Sequence, residues 1–132
     1  MTVDGLKHSR SGYQPNEIME RILAAIAELG MAVFARIDHS AAAAKVGMEL
    51  RPTEVVLFGN PKTGTPLMQD AQTMGIDLPL RALVWQDEAG TTHLSYSDPS
   101  WLAARHGAAV GNKATLRAMR DFLAAVAQEA TT

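Results

Sequence analysis

Two hydrophobic periods stand side by side near the start of this chain, and together they restrict what it can fold into. Ile18, Ile22, Ile26 and Leu29 recur every three or four residues, the spacing of one buried helical face. Gly30 then interrupts, and Val33, Ala35 and Ile37 alternate with Phe34, Arg36 and Asp38, the spacing of a strand. A helix that passes into a strand across one glycine has to pack against a sheet. The alternation predicts that Val33, Ala35 and Ile37 form the buried face of that strand.

The same logic extends along the chain. The polar stretch from Val3 to Ser11 reads as an edge strand. Tyr13-Gln14-Pro15 opens the first helix, with proline at its first turn and Glu17 and Glu20 near its positive end. Ser40 is the expected cap of a short helix over Ala41–Lys45, ended by Gly47. Glu54 to Gly59 is apolar on both faces and reads as a central strand. Asn60 to Pro66 reads as a turn-rich loop, with Thr65 capping a helix from Pro66 to about Met74. Leu80–Asp87 and Thr91–Ser97 read as a hairpin across Glu88-Ala89-Gly90. Asp98-Pro99 gives the clearest helix start, an aspartate cap followed by proline. Asn112 is the expected cap of the last helix, whose face is Leu116, Met119, Phe122, Leu123 and Val126. The expectation is one α+β domain over residues 1–132. It has a mixed, mostly antiparallel sheet of four to five strands and helices mainly on one face.

Composition narrows the function classes. The 132 residues contain no cysteine, which excludes disulfides, thiolate metal sites and cysteine nucleophiles. With 12 basic and 14 acidic residues, no basic excess exists for phosphate backbones, so no nucleic-acid partner is expected. Met1 to Arg10 is polar, unlike a signal peptide, and no apolar run approaches the ~20 residues of a membrane helix. A cytoplasmic location without a membrane partner is the expectation. The four histidines are scattered, and H-x-x-x-H, H-E-x-x-H, G-x-S-x-G, G-x-G-x-x-G and the Walker spacing are all missing. Neither a metal nor a cofactor is expected.

Several motifs in order resemble one known family. They are Val33-Phe34-Ala35-Arg36-Ile37-Asp38-His39, the run Gly59 to Met68, Gly75 to Trp85, Leu94-Ser95-Tyr96-Ser97-Asp98-Pro99 and Arg105-His106-Gly107. Together they resemble the bacterial and archaeal family named domain of unknown function 302, with Ser97 where asparagine is more usual. The resemblance implies a compact α+β fold and a homodimer, and carries no activity with it.

Candidate site residues fall in three groups. Asn60, Lys62, Thr63 and Thr65 sit where a strand passes into a helix, and backbone N–H groups there can hold a carboxylate or phosphate. The same segment also reads as a capped turn. Arg36 and His39, with Asp38, mark a strand end. Tyr96, Asp98, Arg105 and His106 mark the next helix, where Asp98 and Pro99 already have structural roles as cap and first residue. Arg81 projects from its strand beside Leu83 and Trp85. Three functions follow: a homodimeric binding domain for a small anion, rimmed by Arg36, His39, Lys62, Thr63, Thr65, Arg81 and His106; an enzyme with His39 or His106 as general base, oriented by Asp38 or Asp98; or a ligand-free dimeric interaction module. The catalytic residues are unassigned. The first reading is preferred.

Overall fold

The computed structural model describes residues 2–132; Met1, the first residue of the polar N-terminal stretch, lies outside the described residues. Five strands form a sheet: β1 (Leu6–Ser11), β2 (Ala32–Asp38), β3 (Thr53–Gly59), β4 (Leu80–Gln86) and β5 (Thr92–Ser97). Their order across the sheet is β1-β5-β4-β3-β2. Each neighbouring pair is antiparallel, so the expected mixed sheet contains no parallel pair among the described residues. The five helices are α1 (Pro15–Glu28), α2 (His39–Lys45), α3 (Pro61–Asp70), α4 (Pro99–Arg105) and α5 (Lys113–Thr131).

Strand directions explain why one face is covered. β1 and β2 lie at opposite edges and, through the alternating pairs between them, run the same way. The connection between them therefore crosses the sheet, and α1 makes that crossing. It buries Ile18, Met19, Ile22, Ala25 and Ile26 against the sheet and α5. Each large side chain in that set contributes roughly 1.5–3 kcal/mol by leaving water. Gly30 ends the crossing at φ +76, a left-handed conformation that costs glycine little. From α5, Leu116, Met119, Leu123 and Val126 complete the core, while Phe122 is half-buried with its ring 5.7 Å from that of Phe58.

Four expectations need correction. Val33, Ala35 and Ile37 do not form a buried face. β2 is an edge strand with a bulge between Val33 and Ala35, and Val33 and Ile37 stay exposed. The cap of α2 is Asp38, not Ser40: the Asp38 carboxylate accepts from the Ala41 N–H at 2.9 Å and from the Ser40 hydroxyl at 2.7 Å. Those bonds, led by that from Ser40, hold the Asp38 carboxyl below its usual pKa. The segment 61–66 is helix, not loop. Asn60 caps it by accepting from the Lys62 N–H at 2.9 Å, so Thr65 is no cap and Pro66 lies inside the helix. Asn60-Pro61 uses the same start grammar as Asp98-Pro99, and Gly64 and Pro66 disguise it. Helix α3 stops at Asp70, and Gln72–Ile76 form a 3-10 turn. Finally, the Asn112 side chain caps nothing. It donates to the Ala108 carbonyl at 2.9 Å and to Asp70 Oδ2 at 2.8 Å, tying the α4–α5 connection to the end of α3.

Other expectations hold. Asp98 Oδ1 accepts from the Ser100 N–H at 2.8 Å, with Pro99 as the first residue of α4. β3 is internal, paired on both sides, and β4 is the middle strand.

Candidate functional site

The start of α3 is the first place to test, because it was expected to offer unpaired amides. It offers none among residues 61–64. Pro61 has no N–H, Lys62 donates to the Asn60 side chain, and Thr63 and Gly64 both donate to the Asn60 carbonyl, at 3.0 and 3.1 Å. The Thr63 hydroxyl also donates to that carbonyl, at 2.8 Å. The amide cradle for an anion is therefore already filled by the chain itself.

A cavity of about 220 Å³ nevertheless opens beside this turn. Its walls are apolar: Phe34 from the β2 bulge, Met68 from α3, Leu78 and Pro79 before β4, and Met119 from α5. Asn60, Thr63 and Thr65 also line it, so the structure brings three of the eight candidate residues together. Lys62 is exposed and is absent from the lining. Gly64 matters here because a Cβ would point toward Leu78 and Met68, at 3.6 and 3.9 Å.

The remaining candidates lie elsewhere. Arg36 projects on the helix side of β2. There it pairs with Glu54 at 3.1 Å and approaches Glu20 of α1 at 4.0 Å. The bond to Glu54 leads the causes that raise its pKa, so Arg36 is held as a cation. His39 is the exposed first residue of α2, and Asp38 is engaged by Ser40 and Ala41 rather than by the imidazole. Arg81 borders a small hollow of about 90 Å³ with Asp77, Ser97 and Leu102.

His106 meets Asp77, not Asp98. Its Nε2 lies 2.5 Å from Asp77 Oδ2 and its Nδ1 lies 2.8 Å from the Thr73 hydroxyl. Arg105 adds a contact to Asp77 at 3.3 Å. Hydroxyl, imidazole and carboxylate thus form a chain, but both ring nitrogens are occupied from within the protein. A base that takes its proton directly from substrate needs one nitrogen facing it, and here the imidazole faces the Thr73 hydroxyl instead. The observed geometry fastens the 3-10 turn to α4. Sequence spacing could not reveal it, since Asp77 and His106 are 29 positions apart.

A second concavity was missed at the sequence level. It occupies the uncovered face of the sheet, measures about 760 Å³, and is lined by residues of β1, β4 and β5 around Trp85. Alternation places Trp85 on one strand face with Arg81 and Leu83, without saying what lies over that face. The available signal was the alternation of His93 and Ser95 with buried Thr92 and Leu94, which turns both onto the open face.

Elsewhere, burial, with a smaller contribution from Asp98, raises the Tyr96 pKa. Among the described residues, no three acidic or histidine side chains gather into a metal-holding group, and no helix is long and apolar enough to cross a membrane.

Comparison with known proteins adds three findings. The family described as Domain of unknown function DUF302 matches residues 7–126. The crystal structure of an uncharacterized conserved DUF302 protein from Bacillus stearothermophilus superposes with a TM-score of 0.86 at 19% identity, covering 97% of this chain and 99% of that one. That likeness establishes the fold. Two curated proteins, each named fluoride-specific ion channel FluC 1, come from Brucella suis biovar 1 and Brucella abortus biovar 1. Each is 45% identical over 115 residues, or 87% of this chain. The chain spans about half the length of these relatives, 45% of the first and 43% of the second.

Proposed function

This chain belongs to the DUF302 family, and from that premise we propose that it is a small-molecule binding domain acting as a homodimer. The observation that carries the reading is the apolar cavity at the start of α3, walled by Phe34, Met68, Leu78, Pro79 and Met119. At about 220 Å³ it is smaller than the ~300–1,000 Å³ pockets that hold drug-sized ligands. Its ligand is correspondingly small and mainly apolar. The Asn60 side-chain N–H₂ and the Thr65 hydroxyl donate no hydrogen bond among the described residues, and they supply the polar end. With the backbone amides already satisfied, the ligand's polar group is an acceptor held by these side chains rather than by a helix start. Thermal melts with benzene, phenol and benzoate test this. Phenol should raise Tm in a saturable way, and Met119→Trp, which fills the cavity, should abolish the shift. Identical shifts in the filled variant would refute the reading.

The dimer is supported by the edge of the sheet. From residue 32 to residue 52 no side chain is buried, although the segment forms a strand and a helix. It holds Val33, Phe34, Ile37, Val46, Met48 and Leu50, six of the eleven large apolar side chains left exposed among the described residues. An edge strand with unpaired backbone groups and an apolar flank is suited to a second copy across a two-fold axis. Light scattering at micromolar concentration should give twice the 14.2 kDa chain mass, and Met48→Glu with Leu50→Glu should give the monomer. A monomeric parent chain would refute the dimer.

The Brucella relatives favour a second reading, in which this module serves a fluoride channel. Their name describes whole proteins of which this chain spans less than half. No helix among the described residues is long and apolar enough to cross a membrane, and in this reading the chain lies outside the conducting part. Under this reading sodium fluoride raises Tm where sodium chloride does not. Superimposable curves in the two salts would dispose of fluoride as a ligand.

A further inference from the structure

The uncovered face of the sheet carries a second cleft, apart from the α3 cavity. Antiparallel register sets Arg10 opposite His93 and His93 opposite Trp85, and one row along sets His8 opposite Ser95 and Ser95 opposite Leu83. Opposite residues share a face, so three strands present these six side chains together. The face is not the core face, which carries Val84 and Leu94 toward the helices.

The rings on this face are locked. Ser95, only 1% exposed, accepts from Trp85 Nε1 at 2.8 Å and bonds His8 Nδ1 at 2.6 Å. His93 stacks on Trp85 at 4.3 Å between centroids, and its Nε2 lies 2.8 Å from Asp87 Oδ2. His8 meets the Trp85 edge at 6.3 Å. Asp87 Oδ1 in turn accepts from the Ala89 and Thr91 amides, at 3.0 and 2.9 Å. The only carboxylate lining the cleft is thereby saturated by its own chain. Arg10 is in the opposite condition: among the described residues it has no ion pair and no side-chain hydrogen bond. His8 Nε2 is likewise unbonded among them. Beside these groups lie Val3, Leu6 and Leu83, all lining the same hollow of about 760 Å³.

A preorganised polar end next to an apolar floor selects an amphipathic ligand. A guanidinium without a counter-ion matches a carboxylate, which it can hold through two parallel hydrogen bonds. We propose that this cleft binds a monocarboxylate with an apolar body, its carboxylate on Arg10 and His8 and its body along Leu6, Leu83 and Val3.

Octanoate is a suitable probe, with octan-1-ol as its uncharged counterpart. The readout is the Trp85 indole N–H resonance, with the Trp101 indole as internal control. The expected result is a saturable shift of Trp85 with octanoate, and at least about tenfold weaker binding by octan-1-ol and by the Arg10→Gln chain, as loss of a charge-assisted pair implies. Arg10 is exposed on an edge strand, so the substitution leaves the core intact. Equal binding of acid and alcohol, or unchanged affinity in Arg10→Gln, would overturn the proposal. So would octanoate shifting Thr63 and Gly64 while Trp85 stays still, which would assign the acid to the α3 cavity and leave the binding-domain reading standing.

Discussion

Replacing Gly64 by alanine separates the helical description of residues 61–66 from the loop that their composition suggests. Gly64 is the fourth residue of α3 and its N–H makes the first full helical turn to the Asn60 carbonyl, at 3.1 Å. Its φ is not in the left-handed region, so an added Cβ brings no backbone strain. That Cβ would meet Leu78 Cδ1 at 3.6 Å and Met68 Cε at 3.9 Å, ordinary contact distances. Alanine exceeds glycine in a helix interior by about 0.8–1.0 kcal/mol. One methyl moved out of water adds at most about 0.8 kcal/mol. Position near the helix start reduces the first contribution, and a net stabilisation of about 1 kcal/mol is expected. For a domain of this size that is about 3–5 °C in Tm. Urea unfolding should show a higher midpoint with an unchanged slope. Because the methyl protrudes into the α3 cavity, phenol binding there should weaken at the same time. Destabilisation by Gly64→Ala would mean that glycine is needed for a turn and that α3 does not begin at Pro61.

Gly5→Ala should destabilise by more than about 2 kcal/mol, combining left-handed strain at φ +76 with a Cβ driven into the Trp101 ring; a denaturation midpoint equal to that of the parent would contradict the observed packing. Asp98→Ala removes the cap that receives the Ser100 amide and should cost about 1 kcal/mol, measured by the same denaturation, with no loss arguing against the cap. Asp87→Asn tests linkage. The bond from His93, followed by that from the Thr91 amide, lowers the Asp87 pKa. A carboxyl whose folded pKa is depressed stabilises above its unfolded value of about 3.9 and loses that contribution as pH falls through the lower folded value. The parent should therefore melt higher than Asp87→Asn at pH 7, and the gap should close below about pH 4; a gap that widens on acidification would reverse the assignment.

Local chemistry was legible wherever one residue's neighbours in sequence are also its neighbours in space. The α1 stripe, the Gly30 stop, the β4–β5 hairpin and the Asp98-Pro99 start depend on the spacing of a few adjacent residues, and the amino-acid order states them outright. The absence of cysteine excluded disulfides and thiol chemistry in the same way. Three-dimensional arrangement decided the rest. Alternation told that β2 is a strand, but not that it sits at an edge, and only strand order determines whether an alternating face meets a core or water. Asn60 and Asp38 are the caps where Thr65 and Ser40 were expected, because the choice between neighbouring caps depends on where the preceding strand ends. His106 found Asp77, and Trp85 found His93, Ser95 and His8, through pairings between segments up to 87 positions apart. Such contacts are products of sheet register and helix docking. They are why the α3 cavity and the open-face cleft emerged from the coordinates, while the elements that surround them could be read from the letters.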